Sequence, residues 1–425
     1  MFRSFEDVLA FLDGLGMFHM DFGLDRMRRA IRDLRITPGL DGWQPYIVQI
    51  VGTNGKGSTS TFLASLGHAH GLKTGLYTSP HFVTPRERVR IDGQILSEKI
   101  WTELAGKVHA AAPDLTYFEF VTVLGLLAFK NAGVELVAME AGLGGMHDAT
   151  TAMAADMTCF VPIDLDHTKI LGPTLTHIAS DKAGAIRPGK PVLTGSQPEE
   201  AMRVLRLKAQ ECHSPLIEVD ERVLPSGVEL GIAGPHQRRN ASLALTAWLT
   251  AARERGWASR DEAVRAGLHK AHIAGRFQTV PPSNGEPPYL LDGAHNPHGL
   301  RACRDALRAC GIHPRAVIFS CLADKDVDTM LPLVSEMASG IPLFAPTIQD
   351  NERAMGGEEL AERLIRLKAE KGVGPSLVRA LPRLSVAFDE VAALPATVPS
   401  EAPVLVCGSL YLLGEFFTLR PQCLW

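Results

Sequence analysis

The octapeptide Gly52-Thr53-Asn54-Gly55-Lys56-Gly57-Ser58-Thr59 concentrates the groups needed to hold a phosphate chain. Its glycines let backbone N–H groups converge on an anion at the start of a helix. Lys56 adds a cation for the β- and γ-phosphates, and the hydroxyl of Ser58 or Thr59 can reach a magnesium ion. The spacing departs from G-x-x-x-x-G-K-[ST], because only Thr53 and Asn54 separate Gly52 from the Gly55-Lys56 pair and Gly57 precedes the hydroxyls. A GTPase, a kinase or a ligase could use such a loop, and a glycine-rich turn with a solvated lysine is the plainer alternative. Glu140 precedes Ala141-Gly142-Leu143-Gly144-Gly145 at the end of an apolar run, where it could face a metal bound to ATP. His167, in Asp164-Leu165-Asp166-His167-Thr168, follows another apolar run; by itself it points to a softer metal than magnesium, which prefers oxygen. Lys182, in Ser180-Asp181-Lys182-Ala183-Gly184, reads by itself as a helix-surface lysine.

The elements that must carry these groups follow from periodicity. Residues 46–51 form an apolar strand that runs into the glycine loop, and a helical pattern continues from the loop to near Gly71. Strand, glycine loop and helix open a parallel α/β sheet. Further strands read at 136–139, 157–161 and 191–194, with helices at 119–131 and 199–212, and 5–34 reads as two helices. The strands are apolar throughout, which predicts a sheet covered on both faces. Residues 281–288, rich in Pro with Asn284 and Gly285, read as a linker or a hairpin tip. Beyond them strands read at 289–291, 316–321, 341–344 and 404–407, and helices at 298–310, 327–338 and 357–371. The expected fold class is α/β: a P-loop parallel-sheet ATPase domain over 1–284, then a smaller Rossmann-like α/β domain over 285–425.

Composition narrows the partners. The 425 residues are 46% hydrophobic and 21% charged, with a net charge of -4, which gives no electrostatic case for nucleic acid or an anionic membrane surface. The seven cysteines are scattered without a C-x-x-C pair, as expected in a reducing compartment. Acidic residues stand near the N-terminus where a signal peptide would be apolar, and the apolar run 121–129 is too short to span a bilayer. A cytoplasmic monomer with small-molecule substrates, no nucleic acid and no membrane is the expectation. A GTPase should carry an N-K-x-D guanine signature, and none stands at a strand end. A non-catalytic regulator would have lost Lys56, Glu140 or His167, and all three are present.

Taken in order, the motifs carry more. They run from Met20-Asp21-Phe22-Gly23-Leu24-Asp25-Arg26 and the phosphate loop through Thr78-Ser79-Pro80-His81, Arg86-Glu87-Arg88-Val89-Arg90-Ile91 and Tyr117-Phe118-Glu119. The 140–145 segment, Asp166-His167-Thr168, Asp181-Lys182-Ala183-Gly184 and Gly275-Arg276-Phe277-Gln278 follow, then Asp292-Gly293-Ala294-His295-Asn296-Pro297, Ala323-Asp324-Lys325-Asp326 and Cys407-Gly408-Ser409. This series resembles the Mur ligase superfamily, in particular its folate branch of folylpolyglutamate and dihydrofolate synthases. A ligase adding amino acids to a nucleotide-linked cell-wall precursor is the nearest rival; the 117–119 and 292–297 segments favour folate.

The resemblance implies ATP-dependent joining of L-glutamate to dihydropteroate or a reduced folate, with two magnesium ions. Asn54, Gly55, Lys56, Gly57, Ser58 and Thr59 would hold ATP, with Asn240, Arg276 and Asp292 also contacting nucleotide. Ser79, Glu140 and His167 would bind magnesium, joined by a carbamylated Lys182. Lys56, Glu140, His167, Lys182 and His295 would serve catalysis. Arg88, Tyr117, Phe118, Glu119, Phe120, His147, Asp148 and Ala149 would meet the acceptor. The alternation of Arg86, Arg88 and Arg90 would place three cations on one face of an extended segment, fit for a polyanionic glutamate tail. Where the family usually reads G-L-G-G-R-L-D-A-T-N, this chain has Met146, His147 and Thr151, which bears on acceptor preference more than on ATP chemistry.

Overall fold

A computed structural model describes residues 2–16, 21, 23–283, 286–395 and 401–424. Met20 and Phe22 of the N-terminal motif, and Asn284 and Gly285 at the expected domain boundary, lie outside them. The chain forms two compact units, one of Met1–Gly231 with Gln237–His272 and the other of Ile232–His236 with Ile273–Trp425.

The first unit is built on a sheet of β1 (Tyr46–Val51), β2 (Thr74–Tyr77), β3 (Val89–Ile91), β4 (Gln94–Ile95), β5 (Leu136–Glu140), β6 (Met157–Phe160), β7 (Val192–Thr194) and β8 (Leu216–Glu218). Its order is β4-β3-β2-β5-β1-β6-β7-β8, with only β3 and β4 antiparallel to their neighbours. Every residue of β1, β5 and β6 is buried, as unbroken apolar runs demand of strands covered on both faces. The covering helices are α1 (Phe5–Leu15), α2 (Asp25–Asp33), α3 (Lys56–Ala69), α4 (Glu98–Ala111), α5 (Tyr117–Ala132), α6 (Thr168–Leu171), α7 (Leu175–Ala183), α8 (Glu199–Glu211), α9 (Pro235–Arg255) and α10 (Asp261–Lys270). One apolar core joins Phe5, Leu12, Trp101, Phe120 and Phe129, and another joins Phe160, Ile178 and Leu205. The consequence for chemistry lies at one edge. β2, β5, β1 and β6 are parallel neighbours, so their carboxyl ends set Ser79, Glu140, the glycine loop and Asp166-His167 side by side.

The second unit has a sheet of β9 (Gln278–Val280), β10 (Tyr289–Asp292), β11 (Ala316–Phe319), β12 (Pro342–Pro346), β13 (Leu377–Leu381) and β14 (Val404–Cys407), ordered β13-β12-β11-β14-β10-β9. Its own core includes Leu290, Phe319, Leu331 and Leu405. The boundary expected at 285 falls inside this unit, because β9 pairs antiparallel with β10 and draws the chain from Ile273 onward into the second sheet.

The expected row of three arginines is also corrected. Pro85–Arg88 is a 3-10 turn, and only Arg90 of the three lies in a strand. Glu87 forces the turn by accepting the N–H groups of Phe82, Val83 and Thr84 at 2.9, 2.7 and 2.7 Å. Arg86 is thereby sent to the Leu96 carbonyl and Glu98, and Arg88 to the interior.

Candidate active site

The phosphate loop joins β1 to α3 directly. Gly55 caps α3 with φ 98°, a left-handed conformation that glycine adopts without strain. A Cβ there would stand 2.5 Å from Asn240 Oδ1, so Asn240, on α9, lies against the loop. Gln237 orients Asn240 by accepting its Nδ2 proton at 2.9 Å. Lys56 Nζ turns back to donate to the Gly52 and Thr53 carbonyls at 3.3 and 3.1 Å. Lys182, expected at a helix surface on its own pattern, is buried, and its Nζ donates to the same Gly52 carbonyl at 2.9 Å. Burial first and the Lys56 charge second draw its ammonium down to about 7, against partial support from Asp181, Asp166 and Asp148. The Thr59 hydroxyl, in the first turn of α3, is buried without a partner.

Glu140 is 5% exposed, and one carboxylate oxygen accepts the Ser79 N–H at 3.0 Å. Thr53 Oγ1 donates to the Asp164 carbonyl at 3.0 Å and accepts the Asp164 N–H at 3.0 Å, tying the phosphate loop to the segment that carries His167. His167 has a left-handed backbone (φ 51°), a half-exposed ring, and Nε2 3.9 Å from Asp166 Oδ1. Among the described residues, no three His, Cys, Asp or Glu side chains converge as a metal-binding group. Glu140 and the partnerless buried Thr59 hydroxyl supply oxygens of the type a hard cation takes.

Beside this centre Arg88 packs its guanidinium over the rings of Tyr117 and Phe118, 5.4 and 5.9 Å from their centroids, and Nε donates to His81 Nδ1 at 2.9 Å. Accepting that proton fixes the His81 tautomer, and burial, reinforced by Arg88, pushes its imidazolium down to about 3. Phe118 also packs on the glycine loop, where a Cβ at Gly142 would meet its ring at 2.5 Å. The other residues expected to meet the acceptor, His147 apart, are engaged within the protein. Phe120 is fully buried in the core, 5.2 Å from the Phe11 ring, because a position two residues after Phe118 faces the opposite side of α5. Glu119 spends its carboxylate on the Thr116 N–H and on Arg26, which it meets through two bonds of 3.1 and 3.2 Å. Ala149 is likewise core. Asp148 is buried, accepting from Leu143 N–H, Thr150 N–H and Thr150 Oγ1, and burial raises its carboxyl above the usual range. His147 is exposed at the loop tip beside Met146.

In the second unit, Asp292 ends β10 and accepts the Phe277 and Ala294 N–H groups at 3.0 and 2.9 Å. Burial pushes its carboxyl up to about 6, with Arg276 opposing. Arg276 lies against Gly293, and His295 Nδ1 bonds the Gly293 carbonyl at 2.8 Å. Sequence reasoning passed over His81, Gln237 and Asp181; the motif at 78–81 and the His236-Gln237 pair beside Asn240 were the available signals.

The fold is of Mur ligase type, and residues 275–410 match the Mur ligase, glutamate ligase domain. The Bacillus subtilis dihydrofolate synthase/folylpolyglutamate synthase is 33% identical over 374 residues, covering 80% of this chain and 85% of that protein. Its Escherichia coli counterpart is 33% identical over 429 residues, covering 96% and 93%. The chain belongs to the folylpolyglutamate synthase/dihydrofolate synthase family, whose members are ATP-dependent ligases. Among solved structures, E. coli FolC in complex with DHPP and ADP aligns with a TM-score of 0.83 at 29% identity over 99% of this chain and 98% of that one. A bifunctional synthase with Mn, AMPPNP and L-glutamate bound aligns at 0.82 and 30% identity, over 99% and 98%.

Proposed function

We propose that the chain joins L-glutamate to dihydropteroate, to the glutamate tail of a reduced folate, or to both, at the cost of ATP. The observation that carries the reading is the convergence of Lys56 and Lys182 on the Gly52 carbonyl at the strand end next to Glu140. The acceptor carboxylate attacks the γ-phosphorus, giving an acyl phosphate and ADP. The amine of glutamate then attacks the carbonyl, an amide forms and phosphate leaves. Lys56 and the N–H groups of the 54–57 loop stabilise charge spreading over the transferred phosphoryl group.

Ser79, Glu140 and His167 would hold Mg2+, which neutralises phosphate charge when bound. Lys182 would supply a further oxygen ligand as its carbamate. The proton balance favours this: an amine drawn down to about 7 is about half unprotonated at neutral pH, and its lone pair adds to carbon dioxide with release of one proton. Arg276, Asp292 and His295 stand in the reading as nucleotide and catalytic groups of the second unit. Arg88 and Phe118, with His147, serve the acceptor, Tyr117 backing Arg88 from the core. We take the enzyme to be a cytoplasmic monomer, which sedimentation at working concentration checks. No helix of the described residues is long and apolar enough to cross a membrane.

The test is ADP release measured with and without each substrate, followed by radiolabelled glutamate transfer to dihydropteroate and to tetrahydrofolate. Release should require both acceptor and glutamate for sustained turnover. Turnover independent of the acceptor would defeat the scheme.

A further inference from the structure

The glycine loop of residues 142–148 is held from beneath by groups that take no part in the chemistry above. Gln49, in the middle of β1, is 1% exposed. Its Nε2 donates to Thr150 Oγ1 at 2.9 Å and to Thr151 Oγ1 at 2.6 Å. Each hydroxyl passes its own proton to the loop: Thr150 Oγ1 donates to Asp148 Oδ1 at 2.5 Å, and Thr151 Oγ1 to the Gly145 carbonyl at 2.7 Å. The second Asp148 oxygen accepts the Leu143 N–H at 2.8 Å. From the other side, Asp181 accepts the Gly145 N–H at 2.8 Å, and Arg187 donates to the Thr151 carbonyl.

The direction of these bonds is forced. A hydroxyl has one proton, and both threonine protons are already given to the loop, so each can only accept from Gln49. The amide must therefore turn its NH2 toward them, which leaves Gln49 Oε1 buried without a partner. An unpaired buried carbonyl is unfavourable, and its presence beside a site is where structure yields to function. The loop so fixed has little freedom elsewhere, since a Cβ at Gly145 would stand 2.5 Å from the Lys182 carbonyl. Its tip carries Met146 and His147 into solvent.

We propose that Gln49 and Thr151 are positioning residues for the acceptor: without touching it, they fix the 142–148 loop in the conformation that presents Met146 and His147 to a pteroate-type ligand. This rests on the reading that the loop faces the acceptor.

Thr151→Val keeps the shape and removes the hydroxyl, Thr151→Ser keeps the hydroxyl, and Gln49→Met removes both donors at similar volume. KM for dihydropteroate should rise about five- to tenfold in Thr151→Val and Gln49→Met, with KM for ATP within about twofold of the parent, and Thr151→Ser should restore it. Amide exchange at Gly145 should quicken in the folded Thr151→Val protein. If Thr151→Val fails to fold, Gln49→Met and Thr151→Ser carry the same comparison. Met146→Ala and His147→Ala separately test the loop's assignment. If they shift acceptor KM while folded Thr151→Val or Gln49→Met does not, or shifts both KM values equally, the positioning role is overturned and the loop reading stands. If the tip variants leave acceptor KM unchanged, the loop reading falls and the positioning role falls with it.

Discussion

Lys182 sets reactivity against stability. Its amine is buried beside a second lysine and is drawn from 10.5 down to about 7, so below pH 7 the folded protein holds a charged ammonium in a place that disfavours it. Between pH 7 and 10.5 the unfolded chain binds the proton that the folded one has shed, and stability therefore rises with pH across that window. Against the parent carrying the free amine, in carbon-dioxide-free buffer, Lys182→Met should raise Tm most below pH 7, the difference shrinking toward pH 10.5, while ADP release is lost. A melting series across pH beside an activity assay checks both halves. Lys56 Nζ donates to the loop's own Gly52 and Thr53 carbonyls. Lys56→Ala should lower kcat for ADP release by about 100- to 1000-fold with little change in Tm, the scale expected when a donor to developing charge is removed.

At the scale of the element, α5 presents two faces within three residues. Phe118 lies under Arg88 and against Gly142, whereas Phe120 fills the core against Phe11. Phe120→Ala should cost about 3–5 kcal/mol of stability in denaturant unfolding and leave acceptor KM nearly unchanged. Phe118→Ala should do the reverse, raising acceptor KM with a smaller loss of stability. The Pro85–Arg88 turn behaves as a unit as well. Glu87→Ala releases three N–H groups at once, and unfolding should show a loss of about 1–3 kcal/mol. Arg88 then loses its seat over Tyr117, and acceptor KM should rise while KM for ATP holds.

The two units have apolar cores of their own, and among the described residues no strand is shared between the two sheets. Stability is then divided into cooperative blocks. Phe319→Ala, a truncation in the second core, should lower one calorimetric transition by the equivalent of about 3–5 kcal/mol, while amide protection in β1 and β5 persists. Loss of protection in both sheets together would mean a single cooperative block.

The sequence alone determined the phosphate loop, the two helices over 5–34, the buried strands around β1 and the order of motifs, because these depend on short-range periodicity and on residue types that act locally. Helices over 357–371 and 327–337 were legible for the same reason. Weaker elements were not: β2, β9 and β13 are short, and β13 alternates exposed and half-buried residues, so their pairing comes from partners distant in the chain. Partners also decided the site's finer assignments. Lys182 looks like a surface lysine until the fold lays it on the Gly52 carbonyl, and Phe120 looks like a ligand contact until Phe11 covers it. Gln49 gives no signal in an apolar strand, because what makes it matter is a pair of threonines about a hundred residues away. Periodicity reports which side of an element a residue occupies; only tertiary packing says what waits on that side, and burial and charge there set the chemistry.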